Sequence, residues 1–159
     1  YTGAPFYAGI SALKTVGYSR SLCYDEDLTG RRCAQGADLC HIFCTQEAAI
    51  PIKSYSPELI VHPLLRSDAS VDGLSEENVR SALDKSVERI TQVFSRLDAL
   101  ILGPGLGRDT AVQSITEALI ARAREVELPI ILDGDALFLA SEKPDIIKGY
   151  KHAVLTPNA

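Results

Sequence analysis

No apolar run in this chain approaches the roughly 20 residues that a membrane-spanning helix needs. No stripe of Lys and Arg offers a nucleic-acid surface, and the net charge of −5 points the same way. The four cysteines, Cys23, Cys33, Cys40 and Cys44, lack the spacing of a secreted disulfide framework. The chain begins at Tyr1 with no signal-like segment, and it stops at Ala159 just after a strand-like run. A strand needs covering, so a longer parent chain is the expectation. The 159 residues fit one domain, and 46% hydrophobic with 23% charged residues is an ordinary globular balance.

The most informative stretch is Asp98-Ala99-Leu100-Ile101-Leu102-Gly103-Pro104-Gly105-Leu106-Gly107-Arg108-Asp109. Four apolar residues run into a glycine-rich turn, and a helical pattern follows from Asp109 to about Leu128. Glycines leave out Cβ atoms and let backbone N–H groups approach a ligand, while the helix points its positive end at the same place. Such a loop suits an anion. It is no Rossmann fingerprint, since Arg108 stands where the third glycine belongs, and no P-loop, since no Gly-Lys-Ser/Thr follows. Alone it also fits a plain strand-to-helix connector.

The rest of the chain alternates strands and helices. Pro5 suits the first turn of a helix through Ala8, Ile10, Ala12 and Leu13. Leu39–Cys44 reads as a strand, Thr45 as the cap of a helix with Ala48, Ala49 and Ile52, and Leu59–His62 as a buried strand stopped by Pro63. Residues Ser67 to Gly73 read as loop. Ser75 caps a helix with Asn78 at its third position, and Val79, Leu83, Val87, Ile90 and Phe94 form one apolar stripe. Pro129–Asp133 and Ala153–Leu155 are further strands, separated by a helix over Ala136–Ser141 and a turn at Pro144-Asp145. Apolar strands between helices predict an α/β fold whose parallel sheet is covered on both faces. Ligands then bind at the carboxyl ends of the strands. The Gly103–Arg108 loop, Asp133-Gly134-Asp135 and Thr156-Pro157-Asn158 all fall there.

Several segments in order carry a resemblance: Tyr1–Pro5, Ile10–Lys14, Gly36–Leu39, Ser54–Pro63, Gly103–Arg108, Leu132–Leu137 and Leu155–Asn158. Together they resemble the eukaryotic ATP-dependent NAD(P)H-hydrate dehydratases, members of the ribokinase-like superfamily. The resemblance implies a three-layer α/β/α fold, here incomplete, with residues 1–159 the N-terminal part of a single dehydratase domain. It implies a hydro-lyase that repairs hydrated NADH and NADPH with ATP, and Mg2+ as the expected companion of ATP.

By the same resemblance Gly103, Gly105, Gly107, Asn158 and Ala4 contact the substrate, and Asp133 and Asp135 lie near the nucleotides. From the residues alone the two aspartates equally suit a helix cap and a turn. The family's catalytic Gly-x-Gly-Asp base would fall after Ala159, so no catalytic residue is expected in this chain, and the chain alone is expected to be inactive. The only partner implied is the small-molecule hydrate, with no nucleic acid, membrane or metal site; self-association is left open. A cytoplasmic location is implied, with a mitochondrial form left open. Rival readings are another ribokinase-like enzyme, such as a kinase of small hydroxymethyl-pyrimidines, and a non-enzymatic gene fragment.

Residues Val16 to Gln35 depart from the family pattern. Removing them joins Lys14-Thr15 to Gly36-Ala37-Asp38. These 20 residues correspond to 60 nucleotides, in frame. Val codons start GT, Gln35 can be CAG, and Leu28-Thr29 can encode a branch-site pattern, so a retained short intron is the favoured reading. A genuine surface insertion is the rival, because added loop length costs little entropy. Transcript sequencing separates them.

Cys40 and Cys44, four apart on a strand, share one face as small apolar residues, and His41 points to the other. His62 and His152 read as structural or exposed.

Overall fold

The computed structural model describes Pro5, Ala8 and residues 39–157. Pro5 and Ala8 are both helical, in line with the helix read there. Ala4, Asn158, Cys23, Cys33 and the 16–35 segment lie outside the described residues. From residue 39 the order is β1 (His41–Thr45), α1 (Gln46–Tyr55), β2 (Ile60–Leu65), α2 (Asp68–Val71) and α3 (Glu76–Thr91). Then follow a 3-10 turn at Phe94–Arg96, β3 (Leu100–Leu102), α4 (Thr110–Glu125), β4 (Ile130–Leu132), α5 (Asp135–Glu142), a 3-10 turn at Pro144–Ile146 and β5 (Ala153–Leu155).

Every strand pair among the described residues is parallel. β1 pairs with β2, and β3, β4 and β5 form a second sheet in that order. Leu102, Leu132 and Leu155 lie in register, so the last three strands end at one edge. Each parallel pair is joined through a helix, as parallel geometry requires.

Two apolar clusters hold these elements. Ile42, Cys44, Ala49, Ile52, Leu59 and Val61 pack β1, α1 and β2 together. Ile90, Phe94, Ile115, Leu119 and Ile120 pack α3, the turn after it and α4 onto Leu100, Leu102, Ile130 and Leu132 of the larger sheet. Each fully buried Ile or Leu side chain contributes about 1.5–3 kcal/mol of transfer free energy. At the start of α3, Ser75 Oγ accepts from Asn78 N at 3.4 Å, the cap its sequence predicts.

The structure corrects several expectations. β2 runs on through Pro63 to Leu65. Proline lacks only the N–H, and Pro63 is exposed in a strand with a single partner among the described residues, so no ladder bond is lost. Within the stretch expected to be loop, Asp68–Val71 make a helical turn. Thr45 takes the extended cap conformation before α1 without a side-chain cap bond.

One face of β3 and β4 is buried through Leu100, Leu102, Ile130 and Leu132, whereas Ile101 is 44% exposed and β5 leaves Val154 and Leu155 56% and 46% exposed. Among the described residues, α3, α4 and α5 pack on the face of Leu100, Leu102, Ile130 and Leu132. The stripe on α3 is half-covered. Leu74, Val79, Leu83, Val87, Ile115 and Ala118 line a groove of about 520 Å³ between α3 and α4. No helix among the described residues is long and apolar enough to cross a membrane.

Candidate substrate-binding rim

The loop after β3 is built from its glycines. Leu106 N donates to Gly103 O at 3.0 Å, closing a turn with Pro104 and Gly105 at its centre. Gly105 has φ +63°, so this is the turn type that favours proline second and glycine third. Gly103 is constrained more severely. It has φ +115°, and a Cβ built there would stand 1.6 Å from Asp133 O and 2.8 Å from Ala136 Cβ. That empty space is filled by the protein's own backbone where β3 meets the turn into α5. Gly103 thus lets two strand ends close on each other, whereas a Cβ at Gly107 would meet nothing within 4 Å.

The aspartates after β4 are both engaged. Asp135 Oδ2 accepts from Gly107 N at 2.9 Å, and Asp135 Oδ1 lies 3.6 Å from Arg108 Nε. Asp133 Oδ1 accepts from the Thr156 hydroxyl at 2.9 Å, which ties the tip of β4 to the end of β5. Neither carboxylate caps α5: Gly134 holds the cap position, and the Asp133 carbonyl accepts from Ala136 N at 3.1 Å. The cap-and-turn alternative therefore holds for the backbone of this segment and fails for its side chains. Gly103, Gly105, Gly107, Asp133, Asp135 and Thr156 share one rim, at the carboxyl ends of three adjacent strands.

A fourth element reaches that rim, which sequence reasoning missed. Asp68, just after β2, accepts from Thr110 N at 3.0 Å and Ala111 N at 2.8 Å. Asp109 Oδ2 in return lies 3.4 Å from Asp68 N. The two helix starts, α2 and α4, cap each other with swapped aspartates. The positive end of the helix after the glycine loop thus meets an internal anion: its first two N–H groups are taken by Asp68. Ser67-Asp68 carries a helix-start signature of its own, but nothing local reveals a partner about forty positions away.

The cysteines and histidines lie elsewhere. Cys44 is buried with Ile42 and Val61, and burial pushes its thiol up to about 11, so it stays a protonated packing residue. Cys40 packs beside it and is likewise raised by burial. On the other face His41 Nδ1 and His62 Nε2 are 2.9 Å apart, and the His62 ring stacks on Phe43 with centroids 5.1 Å apart. Burial, then His41, Lys53 and Arg89, hold His62 below its ordinary value of about 6.5. A depressed histidine pKa means that the unfolded chain takes the proton first. Its stabilising effect is complete above about pH 6.5 and is lost as pH falls toward the lowered folded value. Melting temperature should therefore decline between about pH 7.5 and pH 5.5, and His62→Gln should flatten that decline. An unchanged slope in the variant would contradict this.

A family model described as NAD(P)H-hydrate dehydratase matches residues 28–159. Among curated relatives, ATP-dependent (S)-NAD(P)H-hydrate dehydratases from Physcomitrium patens and Arabidopsis thaliana are each 43% identical over 158 residues, 99% of this chain. These matches cover 40% and 38% of the two relatives. The Bos taurus protein of the same name is 41% identical, with 37% of its length covered. The chain thus spans about 40% of the length of the curated relatives it matches. A solved ribokinase-like superfamily protein from Enterococcus faecalis V583 superposes with a TM-score of 0.56 at 24% identity, over 77% of this chain and 36% of that one. That likeness shows the fold, which is ribokinase-like.

Proposed function

The chain belongs to the NAD(P)H-hydrate dehydratase family, and from that premise we propose that its strand-tip rim is part of the pocket of an ATP-dependent repair enzyme for hydrated NADH and NADPH. The observation that carries this reading is the convergence of the Gly103–Arg108 loop, Asp133 and Thr156 at one rim. Parallel α/β sheets bind small molecules at such a rim.

The hydrate carries a hydroxyl on its nicotinamide ring, and hydroxide leaves poorly. The hydroxyl oxygen takes the terminal phosphoryl group of ATP, so that ADP leaves, the hydroxyl proton is released and a phosphate ester forms. The ring C–O bond then breaks with its electron pair going to phosphate, a neighbouring C–H gives up its proton, and the ring double bond returns. The resemblance places the family's Gly-x-Gly-Asp base outside these 159 residues. For the described residues the task is binding and orientation. Gly105 and Gly107 present backbone without side chains, and Asp135 and Thr156 fix the loop and the tip of β4.

Among the described residues no three His, Cys, Asp or Glu side chains gather as metal ligands. The rim carboxylates serve intrachain donors instead, so Mg2+ is given no seat and no step here.

Binding tests the reading. Titration of the chain into NADPH, followed by nicotinamide fluorescence, should saturate, and hydrated NADPH should compete. A rim that leaves the fluorescence unchanged at millimolar protein would overturn the proposal.

A further inference from the structure

Arg108 ends the glycine loop of the rim, and its side chain packs on α5. Its guanidinium carbon lies 4.2 Å above the Phe138 ring centroid, and its Nε faces Asp135 Oδ1 at 3.6 Å. The ring lies under the guanidinium carbon, and the carboxylate faces its inner nitrogen. The side chain is still 63% exposed. Its terminal Nη pair has no partner among the described residues, and a planar fork of that kind matches a phosphate through two parallel bonds.

The neighbouring charges are already committed. Asp109 turns to Asp68 N, Asp133 to the Thr156 hydroxyl, and Asp135 to Gly107 N. Gly107, next to Arg108, borders open space. Among the described rim residues Arg108 is the cation with donors to spare, and it is held rather than loose. Less rotamer entropy is then lost on binding.

We infer that the Nη fork of Arg108 binds a phosphate group of the nicotinamide nucleotide at this rim. The inference deepens the binding reading above and rests on it for the identity of the ligand. Specificity would follow from geometry: a bidentate fork rewards a phosphate held beside the Gly107 backbone and gives nothing to an uncharged nucleoside.

The test compares wild type, Arg108→Gln and Arg108→Lys, with thermal melting as a check that the exposed substitution leaves the fold intact. The probes are inorganic pyrophosphate, NADH, NADPH, ADP and nicotinamide riboside, measured by calorimetry. Arg108→Gln should weaken pyrophosphate and NADPH about tenfold, the worth of a charge-assisted pair, and leave nicotinamide riboside unchanged. Arg108→Lys should fall between, since it keeps the charge and loses the fork. Equal losses for NADH and NADPH place the contact at the pyrophosphate; a loss for NADPH alone places it at the 2′-phosphate. Unchanged NADPH and NADH binding in Arg108→Gln overturns the inference while leaving the rim reading intact, and so does a loss confined to ADP. Arg108-dependent pyrophosphate binding without nicotinamide nucleotide binding keeps the fork and overturns the rim reading. Binding of none of the probes overturns both.

Discussion

Replacing Gly103 by alanine should destabilise the protein by about 3 kcal/mol or more, or prevent folding. Two costs add. The added methyl would stand 1.6 Å from Asp133 O, a backbone atom with no flexible side chain to move aside. The residue would also have to hold φ +115°, which side-chain-bearing residues rarely adopt. Relief requires β3 and the turn into α5 to part, which would break the 2.9 Å bond from Asp133 N to Leu102 O. Gly107→Ala is the control: it has open space and φ +83°, so only conformational strain of about 1 kcal/mol is expected. Urea denaturation of both variants gives the comparison. A Gly103→Ala loss no larger than that of Gly107→Ala would show that the close approach is not there.

Leu132→Ala should cost about 2–5 kcal/mol. Leu132 is fully buried in the larger apolar cluster, at the last position of β4. Its carbonyl also accepts from Thr156 N at 3.0 Å, so its backbone is fixed by the neighbouring strand and cannot follow the cavity inward. Rigid surroundings collapse least, and the cost rises toward the upper end of the range. Ile101→Ala, one strand away and 44% exposed, should cost under about 1 kcal/mol. Chemical denaturation midpoints test the pair. Equal losses at the two positions would contradict the difference in burial between Leu132 and Ile101.

What could be read in the sequence was local and periodic. Ser75 with Asn78 announced the start of α3, and the spacing of Val79, Leu83, Val87, Ile90 and Phe94 announced its apolar face. The apolar runs that break at Gly103, Asp133 and Thr156 announced the rim, because a parallel strand that ends in glycine or short polar residues has to turn there. The unread features depend on contacts between distant positions. Asp68 meets Thr110 and Ala111, Asp135 meets Gly107, and Asp133 meets Thr156, and no propensity encodes those pairings. Side-chain chemistry reports what a position prefers, so the exposure of Ile101 and Val154 among the described residues could not be read from it. Pro63 misled, since proline breaks a strand only where its missing N–H had a partner.

The central claim is that the ends of β3, β4 and β5 form one face of a nicotinamide-nucleotide pocket. Amide-resolved NMR of the chain during NADPH titration tests it most directly. The account predicts saturable shifts at Gly105, Gly107, Arg108, Asp133 and Thr156, with the groove residues Val79 and Leu83 silent. Shifts that gather on Val79, Leu83 and Ala118 while the rim amides stay fixed would contradict it.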